Sequence, residues 1–476
     1  MSTSILSVGI DIGTTTTQVI FSRLVMENVS SFFAVPRVEI VDKEVVYKGK
    51  IHFTPLLSQT SLDGGGVREI IEAEFRRAGF SPGDTDTGAV IITGEAARKE
   101  NAGVVLNLMS DMAGDFVVST AGPDLESVMA GKGSGAQRHS ADCGCLVANL
   151  DIGGGTTNIA VFDAGETAGV GCLGIGGRLI RLYPTGKIEY ISPQAALAVR
   201  EAGVDIAIGR QAEEAPIARV AEVMNRVLEE ALGLSPASPL LEKLRTPGSS
   251  PLRLERPVDA IGFSGGVAEC IYRPMTEPFP FGDIGAFLGR AIASGRLVRA
   301  SRVFEPVETI RATVIGAGTY TTTVSGSTIT FTADVFPQKN LPVLSLNAED
   351  EEALFRGEHA ALAEKAAWFL QQHDGRQLVL GMRGRENPSY AQLTAAAGGI
   401  ARSLNDLLPP DTPVFVTVER DIAKALGQCI DNALAGARQV VCIDGVRLRE
   451  GDFLDMGSPL MGGLVVPVIV KTLVFG

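Results

Sequence analysis

Two short stretches of the chain combine aspartate, glycine and threonine in the same order. One runs from Asp11 to Thr17 and the other from Asp151 to Thr157. Glycines let the backbone approach an anion and present successive N–H groups to it, and threonine hydroxyls add donors for phosphate oxygens. A carboxylate at a strand end can hold Mg²⁺ through its water shell. One copy is equally compatible with a plain glycine hairpin and with a phosphate loop, whereas two copies that face each other predict a clamp on the phosphates of a nucleotide.

Each of these turns is predicted to join two apolar strands. Residues 5–13 and 17–25 form the first pair, and residues 145–152 and 157–162 form the second. The order of strand, Asp-Ile-Gly, turn and strand is therefore an internal repeat. The residues predicted to contact phosphate are Gly13, Thr14, Thr15, Thr16, Gly153, Gly154, Gly155, Thr156 and Thr157, and the residues predicted to hold the Mg²⁺ water shell are Asp11 and Asp151.

The chain resembles the actin, heat-shock-chaperone and sugar-kinase ATPase superfamily. Besides the two turns, residues 126–133 resemble its first connecting helix, residues 261–268 its adenosine loop and residues 312–318 its second connecting helix. The resemblance implies an α/β fold with two ribonuclease-H-like (actin-like ATPase) domains around a nucleotide cleft, which binds ATP or ADP with Mg²⁺. It also implies roles for individual residues: Glu126 orients the attacking water, Gly265 and Gly266 lie against the base and ribose, and Gly316 belongs to the nucleotide site.

The chain is more closely similar to one family of that superfamily, the ethanolamine ammonia-lyase reactivating factors, over essentially its whole length. The similarity rests on residues 58–64, 121–126 and 455–463. It implies a chaperone-like ATPase that helps an adenosylcobalamin enzyme exchange damaged cobalamin for intact coenzyme, without converting a small-molecule substrate. It further implies ethanolamine ammonia-lyase as the partner, ethanolamine catabolism as the setting, and both a homodimer and an association with a bacterial microcompartment as expectations to test.

The sequence pattern predicts three units. Residues 1–143 form the first ATPase domain, residues 144–340 the second, and residues 341–476 a C-terminal α/β domain that is a candidate for coupling to the partner. Within the last unit a helix is predicted over residues 348–372. The proline-rich residues 233–258 are predicted to be an irregular connector.

Composition limits the classes of partner. Lys and Arg number 42 and Asp and Glu number 55, which gives a net charge of −13. A negative overall field argues against nucleic acid and anionic membranes as partners. The longest apolar stretch, residues 464–476, contains Lys471 and is too short to span a bilayer. We therefore expect a cytoplasmic protein that contacts no membrane.

The cysteines, histidines and tryptophan give weaker signals. Cys143 and Cys145 lie near His139, but their spacing is not that of a zinc site, so buried or half-buried free thiols are predicted. No Asp-x-His-x-x-Gly segment is present, so no cobalamin bound through a histidine ligand is expected. Trp368, the single tryptophan, is predicted to pack in the core of its helix.

Two other functions remain compatible with this fold, because one fold hosts many activities. A small-molecule kinase would need a carboxylate base aimed at an acceptor hydroxyl, for which Asp63 and Asp283 are the candidates. An actin-like filament ATPase is the other alternative, and sedimentation with and without ATP would identify it.

Overall fold

The computed structural model describes residues 2–29, 38–58, 60–110, 117–120, 122–320, 323–326, 328–333, 335–373, 377–460 and 462–472. Within these residues the chain forms three main sheets, of six, five and eight strands. Helices pack against each of them. No helix in this part of the chain is both long enough and apolar enough to cross a membrane.

The first sheet has the strand order β3-β2-β1-β7-β8, with β4 paired to β2. Strands β1, β2 and β3 are antiparallel, whereas β7 and β8 run parallel to β1. Val8, Ile10 and Ile12 on β1 pack with Ile71 and Phe75 of α1 in a buried core. The elements of this part are β1 (Ser2–Ile12), β2 (Thr16–Asn28), β3 (Val38–Lys48), β4 (His52–Phe53), β5 (Leu56–Ser58), β6 (Ser61–Leu62), α1 (Gly64–Ala78), a 3₁₀ turn (Pro82–Asp84), β7 (Thr87–Ile92), a second 3₁₀ turn (Gly94–Arg98), α2 (Ala102–Ser110) and β8 (Val117–Thr120).

The second sheet repeats this topology with the order β11-β10-β9-β14-β15. Its first three strands are again antiparallel, and its last two are parallel to the strand that carries the Asp-Ile-Gly sequence. The elements are β9 (Leu146–Ile152), β10 (Thr157–Asp163), β11 (Glu166–Leu173), β12 (Ile180–Leu182), β13 (Ile188–Ile191), α5 (Pro193–Ala202), α6 (Glu214–Ala231), α7 (Pro239–Leu244), β14 (Ala260–Ser264), α8 (Ala268–Tyr272), α9 (Gly285–Ser294), α10 (Arg296–Ala300) and β15 (Arg302–Val303). The shared topology confirms the predicted pair of ribonuclease-H-like domains.

Two helices cross between these domains. Helix α3 (Pro123–Gly133) follows the first sheet and packs on the second, whereas α11 (Ala312–Tyr320) follows the second sheet and packs on the first. Helix α4 (Ala136–Cys143) also packs on the second sheet, although the predicted first domain extends to residue 143. A Cβ atom added at Gly133 would lie 1.8 Å from the Ala312 carbonyl oxygen, so the crossing requires glycine.

The third sheet has the order β16-β23-β22-β18-β19-β20-β21-β17. Strands β18 to β21 are parallel and alternate with helices, and the remaining strands are antiparallel. The elements are β16 (Thr323–Val324), β17 (Thr330–Phe331), β18 (Gln338–Ser345), α12 (Ala348–Phe355), α13 (Ala360–Gln372), β19 (Val379–Met382), α14 (Tyr390–Leu404), β20 (Val414–Val418), α15 (Ala423–Leu434), β21 (Val440–Asp444), β22 (Asp452–Met456) and β23 (Pro467–Thr472). This sheet includes strands that precede residue 341, and the predicted boundary falls inside β18.

Several local predictions need correction. The helix predicted over residues 348–372 is two helices, because Gly357 adopts a φ of +87° between them. The connector 233–258 contains the helix α7. Trp368 is 60% exposed and does not lie in the core. The sequence also predicts a helix near residues 95–113, where the structure has a 3₁₀ turn (Gly94–Arg98) followed by α2 (Ala102–Ser110), and residues 111–113 lie outside the described residues.

Cys143 and Cys145 form a disulfide, with their Cα atoms 5.3 Å apart. The prediction of buried or half-buried free thiols was therefore wrong for this pair. Gly144 between them adopts a φ of +60°, which ends α4 and turns the chain into β9. Cys172, Cys270, Cys429 and Cys442 are buried and form no disulfide.

Candidate functional site: a cleft between two matching turns

The two Asp-Ile-Gly turns have the same hydrogen-bonded geometry. The Gly13 N–H donates to the Thr16 carbonyl at 2.9 Å, and the Gly153 N–H donates to the Thr156 carbonyl at 2.9 Å. Both turns line one cleft of about 500 Å³ between the two domains. The predicted residues that line it are Asp11, Gly13, Thr14, Thr15, Thr16, Glu126, Asp151, Gly153, Gly154, Gly155, Thr156, Gly265 and Gly266.

Four of the carboxylates that line this cleft are buried, and three of them, those of Asp11, Glu126 and Asp151, influence one another's charge. Asp11 accepts a hydrogen bond from the Thr93 hydroxyl at 2.8 Å, at the end of β7. Glu126, in the first turn of α3, accepts from the Gly94 N–H at 3.1 Å. These bonds fix the two carboxylates of the first domain and its connecting helix.

Asp151 is held from β14 and α11. The Ser264 hydroxyl donates to one of its oxygens at 2.6 Å, and the Thr313 hydroxyl donates to the other at 3.2 Å. Ser264 itself accepts from the Asn149 side-chain amide at 2.9 Å. Ser264 and Thr313 lie in the predicted adenosine loop and second connecting helix, whereas Thr93 lies in no predicted motif. Their bonds to Asp151 and Asp11 were not predicted, because each hydroxyl reaches its carboxylate from a distant part of the chain.

The surroundings of Asp11, Glu126 and Asp151 disfavour the ionised form of each carboxylate. Burial raises the pKa of Asp11 to about 7, and the charge of Asp151 adds to the rise while Thr93 opposes it. Burial, with the charges of Asp11 and Asp151, raises the pKa of Glu126 to about 8. Burial also raises the pKa of Asp151, against the hydrogen bonds from Ser264 and Thr313. Such a cluster is suited to a cation, which would compensate the charges.

The described residues contain no group of three or more His, Cys, Asp or Glu side chains arranged to ligate a metal directly. Asp11 and Asp151 line the cleft beside the two turns, and carboxylates in such a position can contact Mg²⁺ through its water shell, because Mg²⁺ dehydrates reluctantly. One polar side-chain atom at the cleft has no hydrogen-bond partner. The Gln18 side-chain oxygen is buried without a hydrogen bond, and Gln18 lies opposite Asp11 on β2 and lines the cleft.

The loop after β14 forms another wall of the cleft. Gly265 adopts a φ of +83°, and a Cβ atom there would lie 2.4 Å from the Ile152 carbonyl oxygen. A Cβ at Gly266 would meet no protein atom within 4 Å, so this position faces open space. Glu269 and Asp283 also line this part of the cleft. Burial raises the pKa of Asp283 to about 6, although the Gly285 N–H donates to its carboxylate.

Two predicted site residues lie elsewhere. Thr157 is fully buried, and its hydroxyl donates to the Ile175 carbonyl at 2.8 Å, so it does not face the cleft. Gly316 lies where the two helices cross, and a Cβ atom there would lie 1.9 Å from the Met129 carbonyl oxygen. The close approach of the α11 backbone to the α3 backbone explains why residue 316 is glycine, without contact with a nucleotide. Asp63 caps α1 and does not line the cleft.

Arg178 is a cleft residue that the motifs did not indicate. Its N–H donates to the Gly154 carbonyl at 2.7 Å, which ties it to the second turn. Its guanidinium lies 5.6 Å from the centre of the Phe53 ring, in the first domain. The cleft thus has a cation beside its two turns, and the only signal for it in the sequence is its position in the Gly-rich segment after β11.

Comparison with known proteins places the chain among its relatives. The sequence profile of a family described as "Ethanolamine utilisation protein EutA" matches residues 3–476. The ethanolamine ammonia-lyase reactivase EutA of Salmonella typhimurium is 39% identical over 475 residues, covering 99% of this chain and 98% of that protein. The Escherichia coli protein of the same name is 39% identical over 478 residues, with the same coverage.

Solved structures also resemble the chain. The PPX-GPPA enzyme of Aquifex aeolicus is 15% identical with a TM-score of 0.36, covering 66% of this chain and 90% of that one. The ethanolamine utilization protein EutJ of Carboxydothermus hydrogenoformans is 14% identical with a TM-score of 0.31, covering 66% of this chain and 89% of that one.

Proposed function

The chain belongs to the ethanolamine utilisation protein EutA family, and from this premise we propose that it is an ATP-dependent reactivating factor for ethanolamine ammonia-lyase. It binds MgATP between its two domains, and nucleotide turnover drives exchange of damaged cobalamin in the lyase for intact coenzyme. One structural observation carries the ATP part of the proposal. Two turns of identical design face one cleft, together with the buried carboxylates of Asp11, Glu126 and Asp151.

In this proposal the two turns hold the phosphates from opposite sides. Backbone N–H groups and the hydroxyls of Thr14, Thr15 and Thr156 donate to phosphate oxygens. Asp11 and Asp151 contact the water shell of Mg²⁺, which neutralises charge on the phosphates when it is bound. Phosphoryl transfer to water needs mainly such positioning and charge neutralisation, so no covalent nucleophile is required.

Glu126 is the proposed residue for orienting the attacking water. It is buried in the cleft, and the Gly94 N–H holds one of its oxygens. Its raised pKa suits a group that accepts a hydrogen bond or a proton near neutral pH. The unpaired oxygen of Gln18 is a second acceptor for a water in the same cleft.

Closure of the cleft is the proposed link to the partner. Each domain supplies one turn, so phosphates bound between them favour the closed arrangement, and their loss relaxes it. None of the described residues of the third sheet and of α12 to α15 lines the cleft, and this unit is the proposed surface for the lyase. The cobalamin is exchanged between the lyase and solution in this proposal, so no histidine of this chain is needed as a cobalamin ligand.

The proposal is tested with lyase that has been inactivated by a cobalamin lacking its adenosyl group. We expect lyase activity to return when the purified protein, MgATP and free adenosylcobalamin are added together. Replacing ATP with the non-hydrolysable analogue AMP-PNP should prevent repeated turnover. Return of activity without any nucleotide would contradict the proposal, as would phosphorylation of a small hydroxyl compound by the protein alone.

A further inference from the structure

A second cavity of about 250 Å³ adjoins the nucleotide cleft, and we call it the side lobe. It borders the two turns, since Thr14, Thr15, Gly154 and Gly155 line both this cavity and the cleft. Arg178 and Phe53 also line both spaces. The residues that line the side lobe alone are Thr54, Leu56, Lys99, Leu179, Arg181, Tyr190 and Ser192.

The charges of the two spaces are opposite. The nucleotide cleft is lined by five carboxylates, those of Asp11, Glu126, Asp151, Glu269 and Asp283. The side lobe is lined by three cations, and no carboxylate is found among its described lining residues. A cavity with several cations, hydroxyls and no anion of its own is suited to a multiply charged anion.

The cations come from both domains. Lys99 follows the 3₁₀ turn after β7, whereas Arg178 lies two residues before β12 and Arg181 lies within it. The Arg181 guanidinium lies 4.9 Å from the Tyr190 ring centre, and its Nε is 4.0 Å from Glu189. A partly exposed contact at that distance is weak, and a ring face leaves the N–H donors of a guanidinium available.

We propose that the side lobe binds a phosphate dianion at a site separate from the phosphates of the nucleotide. An anion there contacts Lys99 of one domain and Arg178 and Arg181 of the other, so it favours closure of the cleft. Two sources supply the same chemistry: the phosphate cleaved from ATP, which rests on the proposed function, and phosphate entering from solution.

The test measures phosphate binding while the nucleotide site is filled. Inorganic phosphate is titrated by calorimetry into the full-length protein saturated with Mg²⁺ and AMP-PNP. We expect one phosphate per chain to bind. Arg181→Gln and Lys99→Gln, which change residues of the side lobe only, should each weaken phosphate binding at least about tenfold and leave AMP-PNP binding unchanged. Arg210→Gln, at an exposed arginine paired with Asp205, is the matched control and should change neither.

The outcomes separate this inference from the proposed function. No phosphate binding to the wild-type protein, or binding to both variants as tight as to the wild type, would overturn the side-lobe site. If AMP-PNP itself fails to bind, the proposed function is contradicted, and the same titrations of the nucleotide-free protein still test the side lobe. Single-turnover measurement of ATP cleavage and phosphate release identifies the source. A lag before release that shortens in Arg181→Gln indicates cleaved phosphate, and release without a lag indicates phosphate from solution.

Discussion

At the scale of single residues, the buried carboxylates of Asp11, Glu126 and Asp151 determine how the cleft responds to pH. Their pKa values in the folded protein are raised above those of exposed carboxyl groups, to about 7 for Asp11 and about 8 for Glu126. A group with a raised folded pKa stabilises the fold fully only below its unfolded pKa, near 4. That contribution is lost as the pH rises through the folded pKa values.

We therefore expect the nucleotide-free protein to lose thermal stability as the pH rises from about 6 to about 8. Thermal unfolding across this range measures the effect. Asp11→Asn should show a smaller loss, because it removes one titrating group and one like charge. An identical pH profile in the wild-type protein and Asp11→Asn would contradict the proposed environment of Asp11.

The raised pKa values of Asp11 and Glu126 predict that protons are released when Mg²⁺ and ADP bind at neutral pH. A cation near the carboxylates favours their ionised forms, so protons leave as it binds. Calorimetry in buffers with different ionisation enthalpies counts these protons. We expect release near pH 7 that falls in Asp11→Asn, and no net proton exchange would contradict the model of a cation beside these groups.

Loss of a single carboxylate should impair hydrolysis. Asp11→Asn and Asp151→Asn should each lower the rate of ATP hydrolysis at least about tenfold, roughly 1.4 kcal/mol of transition-state stabilisation. Asp205→Asn, at an exposed residue, is the matched control. Full activity in both cleft variants would exclude the proposed Mg²⁺ site.

Substitutions at the two glycines after β14 should have different effects, one on nucleotide binding and the other on folding. Gly266→Val adds a side chain where the structure has open space, so it should raise the Kd for ADP and ATP alike and leave folding intact. Gly265→Ala adds a Cβ at a φ of +83° against the Ile152 carbonyl, so it should destabilise the fold itself. Calorimetry and thermal unfolding distinguish the two effects. Unchanged ADP binding in Gly266→Val would place the adenosine elsewhere.

At the scale of elements, the crossing of α3 and α11 connects the two halves. Gly316→Ala would put a Cβ 1.9 Å from the Met129 carbonyl, so the helices must move apart, at a cost of about 1–3 kcal/mol. Gly103→Ala in α2 meets no atom within 4 Å and should instead stabilise its helix by up to about 1 kcal/mol. Denaturant unfolding measures the free energy of unfolding of both variants. Equal changes in Gly316→Ala and Gly103→Ala would contradict the tight crossing of the two helices.

These elements show what the sequence can and cannot predict. The two turns were predictable because strand, aspartate and glycine are adjacent in the chain. The role of Gly316 was not, because the sequence does not tell which backbone a glycine approaches. The hydroxyls of Thr93, Ser264 and Thr313 were missed for the same reason, since they reach Asp11 and Asp151 through tertiary contacts.

At the scale of the whole molecule, the third sheet is attached to the first domain. Leu460 and Val465 pack against Ile5, Leu24 and Met26 at the end of the first sheet. The change of sequence pattern near residue 340 predicted a separate unit that begins there. The strands at residues 323–324 and 330–331 also belong to that unit. They were not predicted, because a strand of two residues is too short to show an alternating pattern.

Removal of the third unit should therefore begin after residue 320 rather than residue 340. The truncated chain should be less stable, since Ile5, Leu24 and Met26 lose their cover. If it folds, it should bind nucleotide, because the cleft lining ends at Thr313. It should fail to reactivate the lyase. Reactivation at the full-length level would show that this unit is not the coupling element, and loss of nucleotide binding in a folded truncation would contradict the domain division.

In the proposed function, a nucleotide clamped between the two turns drives repair of the lyase. The most direct measurement is the return of activity of cobalamin-inactivated ethanolamine ammonia-lyase, with ATP hydrolysis followed in the same samples. Wild-type protein and Asp205→Asn should restore activity in step with hydrolysis, whereas Asp151→Asn should restore little and hydrolyse little. Full restoration by Asp151→Asn, or by wild-type protein without nucleotide, would contradict the account.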